Sequence, residues 1–376
     1  MIYFDHNATT PLSATAREAW LRASEEFIGN PSSPHRLGSR ADRALTEARE
    51  ELAAILGCDA LDIVWTSGAT ESNNLVLHHI AQTLPECAEV WVSAIEHPCV
   101  LAAAQKWLPG RDSLIPVTRE GMVDSGWIRS ELAKTRPALI AMMAANNETG
   151  ILQPWREVSE MCRDAGVPFF CDAAQWLGKL PGKGLGEGDF VSGCAHKFGG
   201  PKGVGFLKCP GKGKVHPLIV GGPQEEERRA GTENVAGVIA MMAALREREA
   251  ALSRGEHIAL HNAKLAFEAE LLKALPGSEI VGAGQERLWN TVSALMPEAD
   301  CQQRWVVKLD KAGFAVSTGS ACSSGKEVAS HVLTAQGYGP SASSRALRFS
   351  GGWETSPEAW KALNVALGLV HSGMKS

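Results

Sequence analysis

Lys197 stands in Val191-Ser-Gly-Cys-Ala-His-Lys-Phe-Gly-Gly-Pro-Lys-Gly-Val-Gly205, one lysine after an apolar run and among glycines and small residues. Small residues let a bulky group approach the backbone closely. A lysine among apolar neighbours gives up its proton more readily, and a free amine forms Schiff bases with carbonyl compounds. Taken alone, a lysine in a glycine-rich turn is a surface feature. Twenty-five positions upstream, Val167-Pro-Phe-Phe-Cys-Asp172 is an apolar strand that ends on an acid. A carboxylate there serves either to cap the next turn or to keep a pyridinium nitrogen protonated, the condition under which pyridoxal phosphate acts as an electron sink.

Three further segments add chemistry. Thr66-Ser-Gly-Ala-Thr-Glu-Ser-Asn-Asn74 follows an apolar run and opens a helix. Free backbone N–H groups and hydroxyls at a helix start bind phosphate, and no Gly-Lys-Ser/Thr follows to make a nucleotide loop. The bland alternative is a plain capping segment. His97, just after Val90–Ala94 and just before Pro98, is placed to stack on a flat group and move protons, or to serve only a structural end. Cys322 lies in Ser317-Thr-Gly-Ser-Ala-Cys-Ser-Ser-Gly325. No apolar residue shields that thiol, and an accessible thiolate suits nucleophilic transfer.

Composition narrows the partners. The 376 residues are 44% hydrophobic and 21% charged, with a net charge of −5 and 6% aromatics, which argues against nucleic acid. No run approaches the ~20 apolar residues of a membrane span. Residues 1–10 lack the basic start and apolar run of a signal peptide, so the expected location is cytoplasmic. The nine cysteines include no CxxC pair, which argues against a disulfide framework, and Cys194-Ala-His196 is too closely spaced for a zinc site. Eight of the nine are expected to be buried structural thiols, with Cys322 the exception.

These residues need a scaffold. Apolar runs at Ile63–Thr66, Val90–Ala94, Ser113–Val117, Leu139–Ala144, Pro168–Cys171, Phe190–Ser192 and Val204–Leu207 alternate with helical stretches. Continuously apolar strands predict a mixed, mostly parallel sheet buried on both faces in an α/β domain, with ligands at the strand ends. Amphipathic spacing predicts helices at 15–27, 40–57, 235–248 and 257–275. Strands are expected at Trp289–Leu295 and Gly313–Val316, and helices near 298–311, 325–336 and 357–371. The expected division is a large domain, 15–254, and a smaller α+β domain, 255–376, with residues 1–14 packing on the latter.

In this order, the motifs resemble the cysteine desulfurase family of pyridoxal-phosphate enzymes (NifS/IscS type, within the class V aminotransferase-like enzymes of fold type I). The resemblance runs through Tyr3-Phe-Asp-His-Asn-Ala-Thr-Thr-Pro11, Gly29-Asn-Pro-Ser-Ser33, Ser67-Gly-Ala-Thr-Glu-Ser-Asn-Asn74, Glu96-His97 and Asn146-Asn-Glu-Thr-Gly150. It continues through Asp172-Ala-Ala-Gln175, Ala195-His-Lys197, Arg229-Ala-Gly-Thr-Glu-Asn234, Gly319-Ser-Ala-Cys322 and Arg348-Phe-Ser350. It implies pyridoxal 5'-phosphate held as a Schiff base on Lys197, with Lys197 also moving the substrate proton. His97 would stack on the ring, Asp172 pair with the pyridine nitrogen and Gln175 approach the ring hydroxyl. Asn147 would contact cofactor or substrate. Ala69, Thr70, Cys194 and His196 would hold the phosphate, with Cys194 where a hydroxyl residue is usual and its contact correspondingly weaker. Gly199 stands where His or Tyr is usual. Thr232 is similar to a threonine that reaches the phosphate of a neighbouring subunit, which implies a homodimer. Arg348 would grip the substrate carboxylate, a task for a planar bidentate donor.

The implied reaction takes sulfur from free L-cysteine. The Cys322 thiolate attacks the substrate sulfur, L-alanine leaves, and a persulfide remains on Cys322 for a sulfur acceptor in iron–sulfur cluster assembly or tRNA thiolation. The form Gly-Ser-Ala-Cys is similar to the long-loop branch of the family. The rivals are an aminotransferase, a sulfinate desulfinase or a selenocysteine lyase of the same fold. A transaminase has no use for Cys322, whereas selenocysteine lyase chemistry is nearly the same. A non-catalytic sulfur carrier would have no need of intact Lys197, His97, Asp172 and Cys322 together.

Overall fold

The computed structural model describes residues 1–85, 87–211, 215–298, 302–318 and 329–375. Its centre is a seven-stranded sheet in the order Ile63–Thr66, Gly205–Lys208, Phe190–Cys194, Phe169–Asp172, Leu139–Met143, Val90–Ser93, Asp112–Ile115. The last five strands pair in parallel, while Gly205–Lys208 runs antiparallel to both of its neighbours. Short apolar tetrads and pentads form it because both faces are covered, so either side of the pleat takes an apolar residue. Along Leu139–Met143 the alternation is visible. Leu139 and Ala141 join the core under helices Ala69–Thr83 and Pro98–Trp107. Ile140 and Met142 join the opposite core with Leu52, Trp155, Val158 and Met241, from helices Arg36–Leu56, Trp155–Ala165 and Val235–Ser253.

A second core is built on the antiparallel strands Glu279–Ile280, Thr291–Leu295 and Ala346–Ser350. Helices Glu256–Ala274, Gln302–Lys311 and Pro357–Lys375 supply Phe267, Leu271, Trp305, Leu309, Trp360 and Leu363 to it. The start of the chain belongs there in space: Ile2–Tyr3 pairs in parallel with Phe314–Ala315, and Phe4 is fully buried among Phe314 and Trp360.

Several elements differ from the sequence expectations for local reasons. The helix expected at 40 begins at Arg36, because the His35 imidazole caps it by accepting the Gly38 N–H at 3.2 Å. The strand expected from Trp289 starts at Thr291, since the Trp289 indole turns aside to donate to the Lys179 carbonyl at 2.8 Å. The strand expected at 113–117 is Asp112–Ile115, stopped by Pro116, which has no N–H for the ladder. Strands Glu279–Ile280 and Ala346–Ser350 were not anticipated. Of the helix expected at 325–336, the described part is His331–Ala335, capped by the Ser330 hydroxyl at Leu333 N. Of the helix expected near 298–311, the described part is Gln302–Lys311. Three of the described cysteines depart from the buried expectation: Cys87 is exposed in the turn before Val90–Ser93, and Cys58 and Cys99 are only partly buried.

Among the described residues one turn is strained. Glu225, Glu226 and Glu227 all have positive φ, at 49°, 57° and 65°, a conformation that costs roughly 1–2 kcal/mol per non-glycine residue. It is held from outside. Arg49 grips the buried Glu225 carboxylate with two bonds of 2.8 and 2.9 Å, and the Trp65 N–H adds a third at 3.0 Å.

Strand Gly205–Lys208 also sets the position of the 67–70 loop. A Cβ on Gly205 would stand 2.5 Å from Gly68 Cα and 2.6 Å from the Gly193 carbonyl oxygen, both backbone atoms that cannot swing aside. Gly205→Ala is therefore expected to cost about 1–3 kcal/mol, read as a lower Tm by calorimetry. An unchanged Tm would show that the loop yields freely.

Candidate active site

The parallel strands end on one side of the sheet, and the loops that follow them surround a cavity of about 420 Å³. Ala69, Thr70, His97, Asn147, Asp172, Gln175, Cys194, His196 and Lys197 all line it. These are nine of the ten residues named from sequence as cofactor contacts. The tenth, Thr232, is exposed and lies outside this cavity. Arg348 is buried outside the lining, and Cys322 falls outside the described residues.

One end of the cavity suits an anion. Helix Ala69–Thr83 starts at Gly68 with no side-chain cap, so its first N–H groups and the positive end of its dipole are open to a ligand. Glu71 turns back to accept the Ser67 N–H at 2.8 Å and is paired with Arg229 at 2.9 Å, which settles its charge away from the helix start. Cys194 is buried at the end of its strand, and the Ala69 N–H faces its sulfur, so the thiol supports the loop in place of the usual hydroxyl. Burial pushes that thiol up to about 11, leaving it protonated. His196 sets its Nδ1 3.1 Å from the Thr9 hydroxyl, and burial together with the nearby Lys197 lowers it to about 4.

The other end suits a cation. Asp172 ends its strand 6% exposed, with Oδ1 accepting the Ala174 N–H at 2.9 Å and Oδ2 accepting Asn73 Nδ2 at 2.8 Å. It thus caps a turn and still presents a carboxylate to the cavity. Glu96 lies close by and fully buried. Its Oε1 accepts the Met143 N–H at 2.7 Å and the Ser93 hydroxyl at 2.8 Å, while Oε2 has no hydrogen-bond partner among the described residues. Burial, reinforced by the Asp172 charge, raises Glu96 to about 8, so Glu96 keeps its proton at neutral pH.

Between the two ends, Lys197 Nζ donates to the backbone carbonyls of Asn7 and Ala8, the latter at 2.8 Å. Gln175 Nε2 donates to the same Asn7 carbonyl at 2.9 Å, and Lys179 Nζ donates to Gln175 Oε1. Asn146 is buried and pins its own turn, Oδ1 accepting the N–H groups of Glu148 and Thr149. That turn presents Asn147, whose carbonyl accepts Arg348 Nη1 at 2.9 Å. The Arg348 guanidinium also pairs with Asp5 at 2.7 Å.

Residues 7–9, Cys99, Asn73, Glu96 and Lys179 were not singled out for roles from sequence. Their signal is faint: a polar cluster near the chain start, and single residues inside helices or beside recognised motifs.

An anion cradle, a lysine amine and a buried carboxylate along one cavity match the three ends of pyridoxal 5'-phosphate: its phosphate, its aldehyde and its ring nitrogen. The residues present fit that cofactor.

Comparison with known proteins agrees. The model of the aminotransferase class-V family matches residues 2–358. A cysteine desulfurase of Klebsiella pneumoniae is 38% identical over 353 residues, covering 93% of this chain and 87% of its own. The cysteine desulfurase IscS of Dictyoglomus turgidum is 38% identical over 363 residues, covering 95% and 91%. Among solved structures, a NifS-like protein from Rickettsia africae superposes with a TM-score of 0.89 at 29% identity, covering 99% of both chains. A structure of SspA in complex with cysteine superposes at 0.80 with 27% identity, covering 93% of this chain and 98% of its own.

The Glu96 site predicts a pH dependence. The folded chain keeps a proton that the unfolded chain releases above its ordinary carboxylate range, so stability falls as pH rises from about 4.5 through about 8. Glu96→Gln, neutral at every pH, should flatten that loss. Melting curves between pH 5 and 8 should show wild type falling relative to the variant, and parallel curves would mean that Glu96 is ionised when folded.

Proposed function

This chain belongs to the aminotransferase class-V family, and from that premise we propose which of its residues carry out the reaction and where the sulfur goes. It is a pyridoxal-phosphate-dependent cysteine desulfurase, acting on L-cysteine. The observation that carries the reading is the single cavity in which the Lys197 amine, the Asp172 carboxylate and the uncapped helix start at Ala69–Thr70 face one ligand.

Lys197 is the residue that binds pyridoxal 5'-phosphate covalently through Nζ. Ala69 and Thr70 supply phosphate donors at the helix start, with His196 beside them and Cys194 supporting the loop from below. Asp172 would pair with the ring nitrogen and keep its proton, Gln175 would face the ring hydroxyl, and His97 would lie against the ring. When bound, the cofactor accepts the electron pair left at the substrate Cα. The rest is done by side chains. Arg348, steadied by Asp5 and the Asn147 carbonyl, orients the substrate carboxylate. The Lys197 amine takes the Cα proton, and His97 assists in returning a proton to the product. The Cys322 thiolate attacks the substrate sulfur: an S–S bond forms, the Cβ–S bond breaks, and L-alanine is released.

The working form is a homodimer in which Thr232, exposed on each subunit, reaches the phosphate of the other. Residues 15–254 form the cofactor-binding domain and 255–376 the smaller one. The persulfide on Cys322 passes to an acceptor protein of iron–sulfur cluster assembly or tRNA thiolation in the cytoplasm. No helix among the described residues is long and apolar enough to cross a membrane.

Alanine and sulfide released from L-cysteine with a reductant test the assignment. Wild type should make both, Cys322→Ala neither, and Lys197→Ala should fall by roughly 100-fold or more and lose the visible colour of the bound cofactor. A coloured wild type that makes no alanine would overturn the reaction. Sedimentation should give twice the chain mass, and Thr232→Ala should weaken cofactor retention without splitting the dimer.

A further inference from the structure

Cys99 is one residue inside the helix that His97 opens, and its thiol sits among Asn73 and two of the cofactor contacts, His97 and Thr70. Sγ lies 3.0 Å from His97 Nδ1 and 3.2 Å from Asn73 Nδ2. The Thr70 side chain bears on the same sulfur. Asn73 uses its other amide hydrogen on Asp172 Oδ2 at 2.8 Å. A line of contacts therefore runs from the Asp172 carboxylate through Asn73 and Cys99 to the His97 ring.

Donor and acceptor roles along this line are forced. The Cys99 backbone N–H can only donate, and it points at His97 Nδ1 at 3.2 Å, closing the first turn of helix Pro98–Trp107. Nδ1 is thus the unprotonated nitrogen, and the proton of the neutral ring is on Nε2. Asn73 Nδ2 can only donate, so the sulfur accepts from it. The thiol hydrogen is then directed to Nδ1, which shares its lone pair between the N–H and the S–H. Burial and the nearby Asp172 push the thiol up to about 12, so this hydrogen is retained through the working pH range.

We propose that Cys99 is a positioning residue for the reaction: its thiol joins Asn73, and through it Asp172, to Nδ1 of His97 and holds the imidazole in the Nε2–H form. The proposal rests on the cofactor assignment above. It links two residues of separate roles, the acid at the ring nitrogen and the histidine against the ring, so that neither turns without the other. The other charged or titratable groups facing His97 are Lys197 from the loop after Phe190–Cys194 and His331, whose Nε2 bonds the Glu96 carbonyl at 2.8 Å. Burial and both of these groups disfavour the imidazolium, while the Asp172 charge favours it. The S–H bond to Nδ1 adds to the first set, because only the unprotonated nitrogen can accept it.

The test compares Cys99→Ala, which keeps the backbone N–H and removes the thiol, with Cys99→Ser, which keeps a donor and acceptor there. Imidazole ¹⁵N spectroscopy of the holoenzyme, with His97 assigned by the signal missing in His97→Gln, reads the ring directly and without turnover. In Cys99→Ala the His97 titration midpoint should rise by roughly half to one pH unit, the size of one weak hydrogen bond. The acid limb of kcat/KM for alanine release should rise with it, while Cys99→Ser stays near wild type. An unmoved midpoint in Cys99→Ala, or equal shifts in both variants, would overturn the proposal and leave Cys99 a packing residue. Because the spectra need no cysteine, failure of the desulfurase assignment would appear as absent alanine in wild type with the His97 midpoints still informative.

Discussion

A single buried carboxylate sets the terms for the rest of the site. Asp172 ends the middle strand of the seven-stranded sheet, where water is excluded and an unpaired charge is costly. Two donors, Ala174 N–H and Asn73 Nδ2, make its ionised form tolerable. Its field does the rest, because Glu96 next to it cannot ionise as well and stays protonated. The strand ends collect the catalytic groups for the same reason. Only there does a sheet covered on both faces open to a polar ligand.

The start of the chain is the second constraint. Asn7 is almost fully buried and is bonded on every side. Its N–H reaches the Ser350 hydroxyl at 3.0 Å, its amide reaches the Thr291 hydroxyl at 2.8 Å, and its carbonyl receives both Lys197 and Gln175. The same few residues pair with the second core and touch the catalytic lysine of the first. Asp5 at their head steadies Arg348. The two cores therefore meet at the site through a short polar thread, alongside contacts elsewhere such as Val332 in the large core, Trp289 on Lys179 and Ser330 on Glu148.

Much of this was legible in the sequence. The strands were plain because continuous apolar runs bounded by small residues have few other meanings in a long chain. The cradle at Ser67–Thr70, the acid at Asp172 and the lysine at Lys197 each follow such a run, and it is their order together, not any one of them, that points to a site. What stayed hidden has a common cause: these residues act across the chain. Lys179 looks like an ordinary lysine near a turn, and only tertiary structure shows it 2% exposed and aimed at Gln175. Cys99 reads as one more small helical residue until Asn73 and His97 are brought against it. Asn7 stands in the Tyr3–Pro11 motif, yet nothing local gives it a role, since its partners lie as far off as Ser350. The short strand Ala346–Ser350 escaped notice because its buried Arg348 breaks the apolar run, and that arginine is tolerable only because Asp5 arrives from the other end of the chain.

That thread has a consequence for how the protein is made. Residues 2–7 leave the ribosome long before their partners Phe314, Ala315 and Ser350. At ordinary elongation rates the leading segment waits for some tens of seconds with its strand edge and its buried phenylalanine unpaired. During that interval the large sheet can close, but the lysine that carries the chemistry lacks the carbonyls that hold it. Catalytic competence is thus withheld from a nascent chain that lacks those late partners, and residues 2–7 are a stretch that a ribosome-associated chaperone would have reason to shield.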